Sequence, residues 1–184
     1  MNETLKTIAQ RYSCRDFKDA PLSDAQIDVL VEAALAAPSG MNRQPWHIIA
    51  VTDKALIEEL DAEGMSLLAA AGDGYFERIN ERGGKMFYNA PFMMVVASDG
   101  SAHSKMDCGI VSQNVTLAAQ SLGLGSVIVG LASIPLSGPR GEEFKKRMKF
   151  PDGYDFGIGV LVGTANSTKE PHELDRGKVT YIKG

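Results

Sequence analysis

The sequence Arg11-Tyr12-Ser13-Cys14-Arg15 sets two arginines and a serine at alternate positions. Residues 12–18 are predicted to be extended, and alternate side chains of an extended segment point to one face. Arg11, Ser13 and Arg15 therefore converge, whereas Cys14 turns away and is predicted to be packed and unreactive. Guanidinium forks and a hydroxyl suit a phosphate monoester dianion, because arginine stays charged and its fork matches phosphate oxygens. Taken alone, such a pattern is more often a solvated charged strand.

The surrounding sequence predicts helices on both sides of this segment. Residues 5–9 mark a short amphipathic helix, and Ser23 with Gln26 forms a capping box that starts a second one. That helix ends before Pro38, because the residue preceding proline avoids the α region. Further strands are predicted at residues 47–52, 92–98, 126–131, 157–163 and 179–182, and further helices at residues 55–60, 105–122 and 142–148.

Two of the remaining stretches have unusual patterns. Apolar residues cover most of the circumference of the helix at 105–122, which predicts a helix buried on nearly all sides. Residues 61–84 are interrupted by glycines and are predicted to form short helical pieces, a mobile flap of about 61–84 over a ligand. The alternative for this stretch is a surface excursion without a role. Together the segments predict a single domain, residues 1–184.

The loop Pro38-Ser39-Gly40-Met41-Asn42-Arg43-Gln44-Pro45-Trp46 combines small residues with amides. Small residues permit close approach of the backbone to a ligand. Asn42 and Gln44 offer neutral donors and acceptors, the set that the pyrimidine edge of a flavin needs. The alternative is an ordinary helix-to-strand connection, and Trp46 is predicted to lie in the core in either case.

A third motif is Leu122-Gly123-Leu124-Gly125-Ser126-Val127-Ile128-Val129-Gly130-Leu131. Its first glycines suit the end of a helix. Gly130, at the end of a predicted strand, is placed to present backbone groups to a ring system. A plain buried strand explains this segment equally well.

Composition narrows the class of protein. The chain has 184 residues, a net charge of −4 and an isoelectric point of about 5.4, which argues against nucleic acid and anionic membranes as partners. Its two cysteines lack metal or disulfide spacing, and its three histidines form no metal constellation. The N-terminal residues resemble no signal peptide, so a cytoplasmic protein is predicted. No GxGxxG or P-loop motif is present.

Together, RYSCRDF at 11–17, APSGMNRQPWHIIAV at 37–51 and LAAQSLGLGSVIVGL at 117–131 resemble the nitroreductase family of FMN-dependent NAD(P)H oxidoreductases. The matched stretches cover more than half of the chain. The resemblance implies an α+β fold with a mainly antiparallel central sheet flanked by helices. It also implies an intertwined homodimer with FMN at the interface, in which the helix at 105–122 lies between subunits and residues 179–182 add a strand to the partner's sheet.

The same resemblance implies roles for individual residues. The phosphate side is assigned to Arg11, Tyr12, Ser13 and Arg15. The ring is assigned to Pro38, Ser39, Gly40, Asn42 and Gln44 of the partner subunit, and its other face to Val129, Gly130 and Leu131. A C-terminal basic residue is also expected at the phosphate, and Lys178 is favoured over Arg176 and His172. Lys85 is a candidate for the pyrimidine end.

The implied activity is ping-pong hydride transfer. NADH or NADPH reduces the tightly bound FMN, which then reduces a small acceptor such as a nitroaromatic or a quinone. No catalytic side chain is required, because the cofactor carries the chemistry. The alternatives are an FMN-binding redox sensor or flavin store without turnover, a dedicated metabolite reductase or dehalogenase of the same fold, and a phosphate-binding protein without flavin.

Overall fold

The computed structural model describes residues 1–72 and 74–184 of the chain. Its centre is a four-stranded sheet made of β1 (Trp46–Val51), β2 (Phe92–Ser98), β3 (Gly125–Val129) and β4 (Asp155–Gly163). The strands lie in the order β1-β2-β4-β3, and every neighbouring pair is antiparallel. The expected α+β class with a mainly antiparallel sheet is confirmed.

Helices cover both faces of the sheet. They are α1 (Glu3–Gln10), α2 (Asp24–Leu35), α3 (Lys54–Ala71), α4 (Tyr75–Asn80), α5 (Ser104–Ser121), α6 (Ser133–Ser137) and α7 (Gly141–Arg147). Two apolar clusters result, one centred on Val95 and Leu161 and the other on Val96 and Val160. Consecutive residues of β2 thus face opposite layers, and all seven residues of this central strand are buried.

Several predictions made from short sequence patterns are confirmed. At the start of α2 the Gln26 N–H donates to Ser23 Oγ, and the Ser23 N–H donates to Gln26 Oε1, which is the predicted capping box. Trp46 is buried, as expected. The short helix α6 was not predicted.

Much of the predicted flap at residues 61–84 is helical. Helix α3 continues without a break to Ala71, so the expectation of short helical pieces from residue 61 onward is wrong. Gly64 lies inside α3, where a Cβ would come within 2.6 Å of Met86 Sδ. The absence of a side chain at this position lets Met86 pack closely against the helix. Asp73, which the predicted flap includes, lies outside the described residues.

Helix α5 has one uncovered face in the single chain. It packs on α2 and on the sheet, but Met106, Gly109 and Gln113 are exposed and Ile110 is half-buried. The prediction that this helix is buried on nearly all sides is therefore wrong for the single chain. The exposed stripe has the spacing of one helical face.

The C-terminal segment forms no strand within its own chain. A 3₁₀ turn at Arg176–Lys178 is followed by exposed residues, among which Ile182 is 96% and Tyr181 69% exposed. The predicted strand at 179–182 is thus absent from the subunit's own sheet. Its pairing with a partner's sheet remains a prediction.

Candidate functional site

The Arg11–Arg15 segment lies beside the first half of β3. Ser13 forms a parallel bridge with Ser126, and the Cys14 N–H donates to the Ser126 carbonyl at 2.9 Å. The Cys14 side chain is 1% exposed, which confirms that it packs in the core. Burial raises the pKa of this thiol, so it remains protonated, and Arg11, Ser13 and Arg15 are left on the outer side.

The chain that follows β4 is bonded to the same segment. The Asn166 N–H donates to the Asp16 carbonyl at 2.9 Å, and the Tyr12 hydroxyl donates to the Ser167 carbonyl, also at 2.9 Å. The Asn166 side-chain amide donates to the Asp16 carboxylate at 3.2 Å. These bonds bring Lys169 to the phosphate motif from the far end of the sequence.

Two neighbouring cavities surround this segment. Both are lined by Tyr12, Ser13, Arg15 and Lys169. The first, of about 410 Å³, also includes Arg11, Glu170, Pro171 and His172. The second, of about 400 Å³, also includes Asp16, Arg82 and Ser167.

The described lining of these cavities carries more cations than acids: Arg11, Arg15, Arg82 and Lys169 against Asp16 and Glu170. Among the described residues, no ion pair involves any of these four cations. Cations that outnumber the neighbouring acids create a positive potential that favours an anion. The donor set therefore fits a phosphate group.

Of the C-terminal basic residues considered for the phosphate, Lys178 and Arg176 line neither of these two cavities. Lys178 and Arg176 line a separate groove with Val179. His172 lines both that groove and the cavity containing Arg11. Lys169 was missed because no local pattern marks it. Its position depends on the antiparallel pairing of Phe17 with Ala165, a long-range contact that the sequence does not show.

The loop between α2 and β1 is exposed and conformationally unusual. It contains a 3₁₀ turn, and Met41, Asn42 and Gln44 adopt φ values of 52°, 52° and 49°, a region that non-glycine residues seldom occupy. The Gln44 N–H donates to Ser39 Oγ at 2.9 Å, and its side-chain amide donates to Asn42 Oδ1 at 3.0 Å. These bonds hold both predicted amides in one exposed arrangement, with Pro38 and Gly40 also exposed.

The last residues of the third motif, 129–131, lie at the end of β3 that is farther from the Arg11–Arg15 segment. Val129 is buried, Gly130 is exposed and Leu131 is half-buried. At about 3.3 Å per residue, Gly130 is about 13 Å along the strand direction from Ser126. A Cβ on Gly130 would meet nothing within 4 Å, so its backbone is open to a flat ligand. The spacing fits a ligand with a phosphate at one end and a ring at the other.

The amide-bearing loop and Gly130 are separated by the width of the sheet. The loop enters β1 at Trp46, and the strand order puts β1 and β3 at opposite edges. Neighbouring strands lie about 4.8 Å apart, so three spacings separate these edges by about 14 Å. One copy of the chain therefore leaves the two segments that are predicted to contact the ring at opposite edges of the sheet.

Other candidate chemistry is limited. Within residues 1–72 and 74–184, no group of three or more His, Cys, Asp or Glu side chains could hold a metal ion, and no helix is long and apolar enough to span a membrane. Cys108 is fully buried, and burial raises the pKa of its thiol to about 11. Lys85 is half-buried and lines neither phosphate cavity.

Known proteins match this chain over its whole length. The model of the nitroreductase family matches residues 8–164. A nitroreductase with bound FMN from Desulfitobacterium hafniense DCB-2 is 50% identical, with a TM-score of 0.96 and complete coverage of both chains. An FMN reductase [NAD(P)H] of Bacillus subtilis strain 168 is 27% identical over 99% of this chain and 76% of its own length.

Some relatives are longer. An oxygen-insensitive NADPH nitroreductase of Salmonella typhimurium is 30% identical over 71% of this chain, and the match spans 54% of that relative. Because the family model covers most of the sequence and the fold agrees along the entire chain, the protein belongs to the nitroreductase family.

Proposed function

We propose that this protein reduces small oxidised acceptors, with nitroaromatics and quinones as the default class, by ping-pong hydride transfer. It is an FMN-dependent oxidoreductase that takes its electrons from NADH or NADPH. The observation that carries the proposal is the convergence of Arg11, Ser13, Arg15 and Lys169 on cavities in which cations outnumber acids, near one end of β3, with Gly130 directly after its other end.

FMN, when bound, would supply two-electron hydride chemistry. The chain's own residues bind and orient. Arg11 and Arg15 would neutralise the phosphate and Ser13 would add a hydroxyl donor, while the Tyr12 hydroxyl, which donates to the Ser167 carbonyl, would hold the segment in place. The open backbone at Gly130 would let a ring approach. No nucleophile takes part, because Cys14 and Cys108 are both buried.

Among the C-terminal basic residues, Lys169 is the better candidate for the phosphate. It shares both cavities with Ser13 and Arg15. Lys178 faces a different groove in the same chain, so its contact with a phosphate would require the C-terminal segment to lie differently in an assembled dimer.

The proposed functional unit is a homodimer. Because the amide-bearing loop and Gly130 lie at opposite edges of the sheet, a second copy must bring residues 38–44 to the ring. The open edge of β1 is lined by a groove of about 400 Å³ that includes every residue from His47 to Asp53. Residues 179–182 are exposed and suit strand addition to that edge in the partner. We place the protein in the cytoplasm.

The direct test begins with the purified protein. It should be yellow and carry about one FMN per chain, and anaerobic mixing with NADH or NADPH should bleach the flavin faster than free FMN reacts. Reoxidation by nitroaromatics or quinones should then follow without the nicotinamide present. Colourless protein that does not respond to FMN would refute cofactor binding, and bound FMN that reacts no faster than free flavin would indicate a sensor or store.

The phosphate assignment has its own test. Arg11→Ala and Arg15→Ala should each weaken FMN binding by about 1.5–3 kcal/mol, the range for hydrogen bonds to charged groups. Wild-type affinity in both variants would place the phosphate elsewhere.

A further inference from the structure

Arg82 faces the same cavity as Ser13, Arg15 and Lys169, although it belongs to a third, separate part of the chain. It follows α4, whereas Arg15 precedes α2 and Lys169 follows β4. Nothing in the local sequence around Arg82 marks it as a ligand-binding residue.

The position of Arg82 follows from the way that α4 ends. Ile79 is buried at 5% exposure and anchors the helix to the core. Arg82 lies in the turn that follows the helix, where it is exposed and lines the cavity. The Gly84 N–H donates to the Ile79 carbonyl at 3.0 Å, and Gly83 and Gly84 adopt φ values of 101° and 69°. The helix ends at Asn80, and these left-handed residues turn the chain away directly after Arg82.

The far end of this loop is also fixed. The Phe87 N–H donates to the carboxylate of Asp61 at 2.7 Å, and both residues are buried. Burial raises the pKa of the Asp61 carboxyl. The loop is thus anchored on both sides, at Ile79 and at Phe87, and the intervening residues 80–85 carry Arg82 to the cavity.

The charge balance of the cavity is unusual. Its lining has Arg15, Arg82 and Lys169 as cations and Asp16 as an acid. The Asp16 carboxylate accepts a hydrogen bond from Asn166 and forms no ion pair with a cation of the described residues. Three positive side chains from three segments repel one another unless an anion lies between them.

We propose that Arg82 binds the phosphate of FMN and thereby fastens the loop at 80–85 to the bound cofactor. This inference rests on the proposed function and adds a phosphate ligand from the region between α3 and β2. It makes the position of this loop dependent on the phosphate, not on the ring, so riboflavin should fail to order it.

The test compares FMN with riboflavin, which lacks the phosphate. Arg82→Gln should weaken FMN binding about tenfold or more, the effect expected for a lost charged hydrogen bond, and should change riboflavin binding less than about twofold. Arg82→Lys should recover part of the FMN affinity, because lysine keeps the charge without the fork. Arg78→Gln is the matched control, since its guanidinium lies over the Tyr75 ring and lines neither cavity.

Limited trypsin digestion of the wild-type protein gives a second measurement. FMN should slow cleavage between Arg82 and Gly83, and riboflavin at equal occupancy should not. Equal losses of FMN and riboflavin affinity in Arg82→Gln would reveal a merely structural role and overturn the inference, as would unchanged FMN affinity. Wild-type protein that binds neither flavin would overturn the proposed function and this inference together.

Discussion

Gly125 is where β3 meets the phosphate motif most closely. A Cβ at this position would lie 2.8 Å from Cys14 Sγ, 2.9 Å from Cys14 Cβ and 3.2 Å from Ala165 Cβ. Both neighbours belong to the segments that line the anion cavities. Gly125→Ala must therefore displace the Arg11–Arg15 segment, the chain after β4, or both.

The size of the effect follows from these contacts. Inserting a methyl group into a well-packed interior lowers the free energy of unfolding by about 1–3 kcal/mol. For a chain of this length, each kcal/mol lowers the melting temperature by about 2–4 °C. Displacement also weakens the bond from the Cys14 N–H to the Ser126 carbonyl, which is 2.9 Å long. We expect FMN affinity to fall about tenfold, the equivalent of one charged hydrogen bond, with a smaller loss for riboflavin.

Urea denaturation and flavin fluorescence titration measure the two effects separately. Cys14→Ala serves as the control, and the double variant completes a thermodynamic cycle. Removing Sγ relieves the shortest contact and leaves the Cβ contact, so the double variant should recover part of the stability lost in Gly125→Ala. Wild-type stability and FMN affinity in Gly125→Ala, or a double variant with purely additive losses, would refute this account of the packing.

Three further predictions follow from other parts of the chain. Deleting residues 179–184 should convert the proposed homodimer into monomers that lose FMN, as measured by light scattering and flavin absorbance; a flavin-loaded dimer would contradict the proposed strand addition. Gly40→Ala should leave the free energy of unfolding of the single chain unchanged, because its Cβ would meet nothing within 4 Å, yet should lower FMN affinity if the loop contacts the partner's ring; unchanged affinity would place the loop away from it. Burial raises the pKa of the Cys108 thiol from 9.0 to about 11. The buried neutral thiol therefore adds to the free energy of unfolding at pH values below 9, and this stabilisation is lost as the pH rises through about 11. The loss should be about 1–3 kcal/mol and absent from Cys108→Ala when unfolding is compared between pH 8 and 11; identical pH profiles would contradict it.

Features governed by neighbouring residues were predictable. The capping box at Ser23 and Gln26 depends on residues within one helical turn, and the inward turn of Cys14 depends on alternation in an extended segment. The helix through Gly64 was not predictable in this way. A glycine is locally a helix breaker, and only the tertiary structure shows that a Cβ at this position would come within 2.6 Å of Met86 Sδ.

The candidate anion site also contains residues that a local pattern indicates and residues that only the tertiary structure brings together. Its first half, Arg11, Ser13 and Arg15, lies within residues 11–15, so its alternation raised phosphate binding as a hypothesis beside that of a solvated charged strand. Lys169 and Arg82 lie far away in sequence and reach the cavity through long-range backbone pairing and through the anchored end of α4. Such contacts depend on which segments pair, and no local pattern contains that information.

The sequence by itself determined a candidate phosphate-binding segment at Arg11, Ser13 and Arg15, because charge and alternation are local properties. Only the tertiary structure decided which cations complete the site, since antiparallel pairing after β4 and the end of α4 set their positions. It also decided that the loop at 38–44 and Gly130 lie at opposite edges of the sheet, because strand order is fixed by long-range hydrogen bonding and not by the residues of any one strand.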